Sequence, residues 1–233
     1  MQAATILHAT DVPLTSAMNE FPRFIAVEGP VGVGKTTLAR RLAATFNYDV
    51  LLEESPQDNP FLRRFYRHPR QMALATQLHF LFHRAGQLQS IRQNDLFKSV
   101  RVADFCMEKD LLFAEMYLSA DELALYKCAY EMQTKDLPTP DLVIYLQAPV
   151  DILKGRIREQ GDETEKLIGH GYLKRLNEAY AELFHYYDRS PLLIVNASEI
   201  DLVHNSQDYR QLVEETLSCR NGRHYFNPKP SEL

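Results

Sequence analysis

The stretch Gly29-Pro30-Val31-Gly32-Val33-Gly34-Lys35-Thr36 sets glycines, a lysine and a hydroxyl at the spacing G-x-x-x-x-G-K-T. Glycines let successive backbone N–H groups turn inward around an anion, and a helix that starts at once adds free donors and a favourable dipole. Residues Gly29, Pro30, Val31, Gly32, Val33, Gly34, Lys35, Thr36 and Thr37 are then predicted to wrap the phosphates of ATP or GTP. Lys35 would bridge the β and γ phosphates, and Thr36 would offer its hydroxyl to Mg²⁺. A plain tight turn is the alternative, and the flanking pattern speaks against it. RFIAVEG at 23–29 reads as a strand, and Leu38, Leu42 and Phe46 recur every fourth residue as in a helix.

A phosphate donor needs an acceptor. The chain carries neither an NKxD-type base-recognition segment nor an apolar strand ending in Asp-Glu, so a switch GTPase and an ATPase motor are disfavoured. Acceptor groups are expected at the C-terminal ends of the strands, where open α/β sheets bind ligands. Glu53 and Glu54 close the segment YDVLLEE at 48–54, and a carboxylate there could take a proton from an attacking hydroxyl. Asp104 ends SVRVADF at 99–105 and suits Mg²⁺, directly or through water. A solvated acidic turn and a helix N-cap are the alternative roles of Glu54 and Asp104. Gln77 and Arg84 stand seven residues apart at one margin of a helical apolar stripe, offering donors and an acceptor to a planar base or merely meeting water. His79 and His83 share a helix face but lack a third metal ligand of matching placement.

These residues need a frame. Five apolar segments have strand character: 23–29, 48–54, 99–105, DLVIYLQA at 141–148 and PLLIVNA at 191–197. Helical patterns separate them, which predicts an α/β fold with a parallel sheet buried on both faces. A long helix is expected over 71–93, with Leu74, Ala75, Leu78, Leu81, Phe82, Ala85 and Leu88 as its stripe, and another over 172–187. Ser119 and Glu122 form a capping-box signature. The tail from Asn221 reads as a docked or frayed terminus.

At 233 residues and 45% apolar composition the chain suits one domain. A net charge of −5 and a pI near 5.9 give no general attraction to polynucleotides or anionic lipid. No apolar run approaches the ~18 to 20 residues of a membrane span. The first residues lack the basic start of a secretory signal, and residues 1–17 read as an extension, a tail or a start-codon choice. Cys106, Cys128 and Cys219 are odd in number and widely spaced, as expected of reduced cytoplasmic thiols.

Together with the phosphate loop, EESPQDNPFLRRFY and ATQLHFLFHR give the chain a strong resemblance to the deoxynucleoside kinase family, over about residues 23–218. Its bacterial deoxyadenosine/deoxyguanosine kinase branch is the most similar. The resemblance implies a P-loop kinase fold with a five-stranded parallel sheet in the order 2-3-1-4-5, flanking helices and a short lid. It also implies transfer of the ATP γ-phosphoryl group to a deoxynucleoside 5′-hydroxyl in nucleotide salvage, with Mg²⁺, in a cytoplasmic homodimer. Carried over by position, Glu54 activates the hydroxyl, with Glu53 as its one-residue alternative. Tyr66 and Glu165 meet the sugar 3′-hydroxyl, Gln77 pairs with the base, Arg84 stands beside it, and Asp104 completes the site. Arg156 is the first lid arginine, and residues 196–201 pass near the donor adenine.

Two departures accompany the resemblance. Phe105 and Cys106 follow Asp104 where many members have Arg and Ser, and Gln160-Gly161-Asp162 stands where the lid usually has Arg-Gly-Arg. Lys154, Arg156, Arg158 or Lys166 are candidates to replace the missing charge. A nucleoside monophosphate kinase and a nucleotide-binding module without transfer chemistry are the competing readings. The expected organisation is an extension over 1–20, a kinase domain over 21–220 with a lid at 156–168, and a tail over 221–233.

Overall fold

The computed structural model describes residues 21–53, 58–94, 101–161, 165–198 and 205–228. Strands β1 (Phe24–Glu28), β2 (Asp49–Leu51), β3 (Arg101–Ala103), β4 (Leu142–Gln147), β5 (Leu192–Asn196) and β6 (Arg223–Phe226) form one sheet. All its pairings are parallel, in the order β2-β3-β1-β4-β5-β6. The apolar runs FIAV in β1 and LVIYL in β4 follow from burial on both faces. On one face Ile25, Val27, Ile144 and Leu146 pack with Leu38 and Leu42 of helix α1 (Lys35–Phe46). On the other, Ala26, Val143 and Tyr145 pack with Leu176, Tyr180 and Phe184, and the Tyr145 and Phe184 rings stack at 4.3 Å. Each such fully buried leucine stabilises the sheet by about 1.5–3 kcal/mol.

The sheet has six strands where five were expected. β6 comes from the tail predicted only as a terminus: Leu192 aligns with Arg223 and Val195 with Phe226. The segment RHYF lacks an apolar run because it forms an edge, with Arg223 and Tyr225 facing outward. The Arg223 guanidinium donates to the carbonyls of Phe184, His185 and Tyr187, at the end of a helix whose last carbonyls lack intrahelical partners.

The other helices are α2 (Leu62–Arg67), α3 (Pro69–Asn94), α4 (Glu108–Tyr117), α5 (Ala120–Thr134), α6 (Val150–Gln160), α7 (His170–Tyr186) and α8 (Ser206–Ser218). α3 buries Leu81, Ala85 and Leu88 against Phe105 and Tyr126. Phe82, expected in that stripe, is 51% exposed because the helix turns it away from the α5 contact. α5 starts as its capping signature predicts: Glu122 accepts from the Ser119 backbone N–H at 2.9 Å and from its hydroxyl at 2.8 Å. Among the described residues no helix is long and apolar enough to cross a membrane.

Candidate active site

The phosphate loop leaves the sheet at Glu28 and enters α1 at Lys35 through Gly29, Gly32 and Gly34, which adopt φ values of 148°, 80° and 104°. Only glycine takes such angles readily. At Gly29 a Cβ would also lie 2.5 Å from the Leu146 carbonyl oxygen, so the close approach of loop and β4 requires its absence. The Lys35 ammonium donates to the Pro30 carbonyl at 3.2 Å, across the mouth of the loop. Burial, and next the charge of Lys109, hold its pKa below the usual ammonium range.

Asp104 follows β3 and ties three elements together. Its Oδ2 accepts the Thr36 hydroxyl at 2.5 Å, and its Oδ1 accepts the Glu53 N–H at 2.6 Å. A carboxylate and a hydroxyl at the start of α1 thus face one another, a hard-oxygen pair. Among the described residues no group of three or more His, Cys, Asp or Glu is placed to hold a metal ion.

A cavity of about 250 Å³ opens at this end of the sheet. Val31, Lys35, Thr36 and Asp104 line its phosphate end, while Tyr66, Gln77, Arg84 and Glu165 line the rest. Gln77 and Arg84 are only 3% and 4% exposed, so their side of α3 borders the cavity rather than bulk water. Glu165 arrives from a single 3₁₀ turn, Glu165–Leu167. Arg156 does not line the cavity. Its guanidinium donates to the carbonyls of Val33 and Ala197, bridging the phosphate loop to the turn after β5. Glu54 and Asp162 lie outside the described residues, as do 199–201 of the predicted donor segment.

Of the adjacent acids Glu53 and Glu54, Glu53 lies among the described residues and lines the cavity. One of its oxygens accepts from the Arg84 guanidinium through both Nε and Nη2, and the other accepts the Lys109 ammonium at 2.6 Å. Burial works against its charge, but these two cations outweigh it and hold the carboxyl well below the usual range. Arg84 also donates to Asp110 at 2.5 Å and lies over the Phe80 ring. Burial pushes the Asp110 carboxyl up to about 6, against the pull of Arg84 and Lys109. Behind Lys109, fully buried Glu28 accepts from Gly29 N–H, Cys106 N–H and the Tyr180 hydroxyl. Sequence reasoning gave no role to Lys109, Asp110, Glu28 or Tyr180. The available signal was a charge inside an otherwise apolar strand, at Glu28, and a lysine opening a helix, at Lys109.

A family model described as deoxynucleoside kinase matches residues 25–219. A deoxyguanosine kinase of Bacillus subtilis (strain 168) is 36% identical over 200 residues, covering 84% of this chain and 96% of the relative. A deoxyadenosine/deoxycytidine kinase of the same strain is 27% identical over 204 residues, covering 83% and 91%. The fold is similar to that of a deoxyadenosine kinase from M. mycoides solved with dCMP and dCDP bound. There the TM-score is 0.70 at 23% identity, covering 84% of this chain and 99% of that one.

Proposed function

The chain belongs to the deoxynucleoside kinase family, and on that premise we propose that it moves the γ-phosphoryl group of ATP to the 5′-hydroxyl of a purine deoxynucleoside. One observation carries the reading: a single cavity joins the phosphate loop to a buried amide through a carboxylate, from Lys35 past Glu53 to Gln77. ATP phosphates lie on the free backbone N–H groups of the 29–37 loop, with Lys35 over the β and γ groups. The hydroxyl of Thr36 and the carboxylate of Asp104 fit Mg²⁺, which would neutralise phosphate charge when bound.

The nucleoside sugar lies by Tyr66 and Glu165, and its base by Gln77, whose amide offers both a donor and an acceptor to a purine edge. Glu53, with Glu54 as its alternative, orients the 5′-hydroxyl and takes its proton as the oxygen attacks. Its place in the cavity wall supports that choice. Arg156 acts on the loop's shape, through Val33, more than on the transferred group. Deoxyguanosine is the first acceptor to test, following the relative of 36% identity. The free thiols of Cys106, Cys128 and Cys219 support a cytoplasmic setting.

The test is ADP release with Mg-ATP and each of the four natural deoxynucleosides, alone and as monophosphates. Release that depends on deoxyguanosine or deoxyadenosine is expected. ATP binding without acceptor-dependent release would overturn the kinase reading for this chain, and faster release with a monophosphate would replace it with the monophosphate kinase.

A further inference from the structure

Lys109 is a cation in an unfavourable place. It is 3% exposed, and it sits in the first turn of α4, where the helix dipole disfavours positive charge. Burial disfavours it again, and Lys35 and Arg84 line the same cavity. Two acids offset these terms: Glu53 at 2.6 Å and Glu28 at 3.8 Å. They more than compensate for burial, so the ammonium keeps its charge. A packing role alone would be met by a shorter apolar residue without any of these opposing terms. A local rule broken with compensation built around it marks a functional group more often than a structural one.

The chain preceding it explains how the lysine gets there. Phe105, next after Asp104, is fully buried in the core with Leu81 and Tyr126 and so points away from the cavity. Cys106 N–H is held by Glu28, and the helix begins two residues later, which swings Lys109 back toward Glu53. Three other cations already hold partners. Arg84 is spent on Asp110 and Glu53, Lys154 donates to the Ile168 carbonyl, and Arg156 donates to Val33 and Ala197. Among the described residues, Lys35, Arg84 and Lys109 are the cations lining the cavity.

We propose that Lys109 is a catalytic residue: it holds Glu53 and meets the transferring γ-phosphoryl group during turnover. This rests on the kinase reading above. In the step, the 5′-oxygen bonds to the γ phosphorus as the bond from phosphorus to the βγ-bridging oxygen breaks. That electron pair leaves on ADP, and the hydroxyl proton passes to Glu53. Negative charge grows on the leaving and equatorial oxygens, beside an ammonium whose hold on Glu53 weakens as Glu53 takes the proton. Lys109 therefore couples proton acceptance to charge neutralisation in one site.

The experiment compares the wild-type chain with Lys109→Met, Lys109→Gln and Lys109→Arg. It measures kcat and KM with ATP and the best acceptor, melting temperature, and the affinity for ADP with and without aluminium fluoride in the presence of that acceptor. Lys109→Met and Lys109→Gln are expected to lower kcat by roughly 100-fold or more, and Lys109→Arg by less. The tightening of ADP by aluminium fluoride should shrink with kcat, while ADP alone binds within about threefold of wild type. A folded Lys109→Met or Lys109→Gln with kcat within about threefold of wild type, or with full fluoride tightening, overturns the proposal. If both neutral variants fail to fold, the arginine variant decides: its fluoride tightening either falls in step with kcat or the proposal fails. Absence of acceptor-dependent turnover in wild type would instead sink the kinase reading itself, so the two failures are distinguishable.

Discussion

At Glu53 a single carboxylate holds Arg84 and Lys109. Glu53→Gln should cut acceptor-dependent turnover by roughly 100-fold or more while ATP affinity changes little, because proton acceptance is lost and the phosphate loop is untouched. Glu54→Gln should stay within about threefold of wild type; the reverse ranking would return the base to Glu54. Asp110 gives a pH signature. Its carboxyl is raised to about 6, so between the ordinary aspartate value and 6 the folded chain keeps a proton that the unfolded chain has released. The stability it contributes is therefore present in acid and lost as pH rises through that window. Glu53 behaves in the opposite sense: its carboxyl is depressed, so its contribution holds above the ordinary glutamate value and fades as pH falls below it. Asp110→Asn mimics the protonated form. Its unfolding free energy relative to wild type should climb from pH 4 to pH 7, by an amount on the order of 1–3 kcal/mol, as denaturant titrations at each pH can show. A gap that stays constant with pH would mean that Asp110 is ionised throughout.

At the scale of elements, the phosphate loop and the 104–110 segment do the positioning. The loop is legible because its chemistry demands a linear pattern of glycines, lysine and threonine, and backbone N–H groups bind phosphate with no long-range partner. Gly29→Ala should lower stability by about 1–3 kcal/mol, since it forces a Cβ against the Leu146 carbonyl at a φ of 148°. ATP binding should fall with it, as isothermal titration can show; normal ATP affinity in the variant would mean that the loop tolerates the shift. The 104–110 segment carries no such pattern. Its lysine matters only because Phe105 is drawn into the core and Glu28 holds the Cys106 N–H, and both partners are distant in sequence. β6 was missed for a related reason, as an edge strand with alternating exposure carries too few apolar residues to announce itself.

At the scale of the whole molecule, α5 exposes Leu125 at 60% and Met132 at 79%, seven residues apart on one helix face, and Phe82 of neighbouring α3 is 51% exposed. The homodimer that the family resemblance implies would bury such exposed apolar side chains. Wild-type protein should then run as a dimer in light scattering, and Leu125→Glu with Met132→Glu as a monomer that remains folded; a wild-type monomer would discard the idea. The sequence by itself determined the α/β class, the phosphate loop, the long helix and the polar line of Gln77 and Arg84, because each follows from local spacing and periodicity. Tertiary structure alone decided that Glu53 lines the cavity, that Arg156 faces backbone carbonyls, and that Lys109 stands beside Lys35 and Glu53. Those outcomes depend on which charges the packed elements bring within a few ångströms of one another, and no linear pattern records such distances.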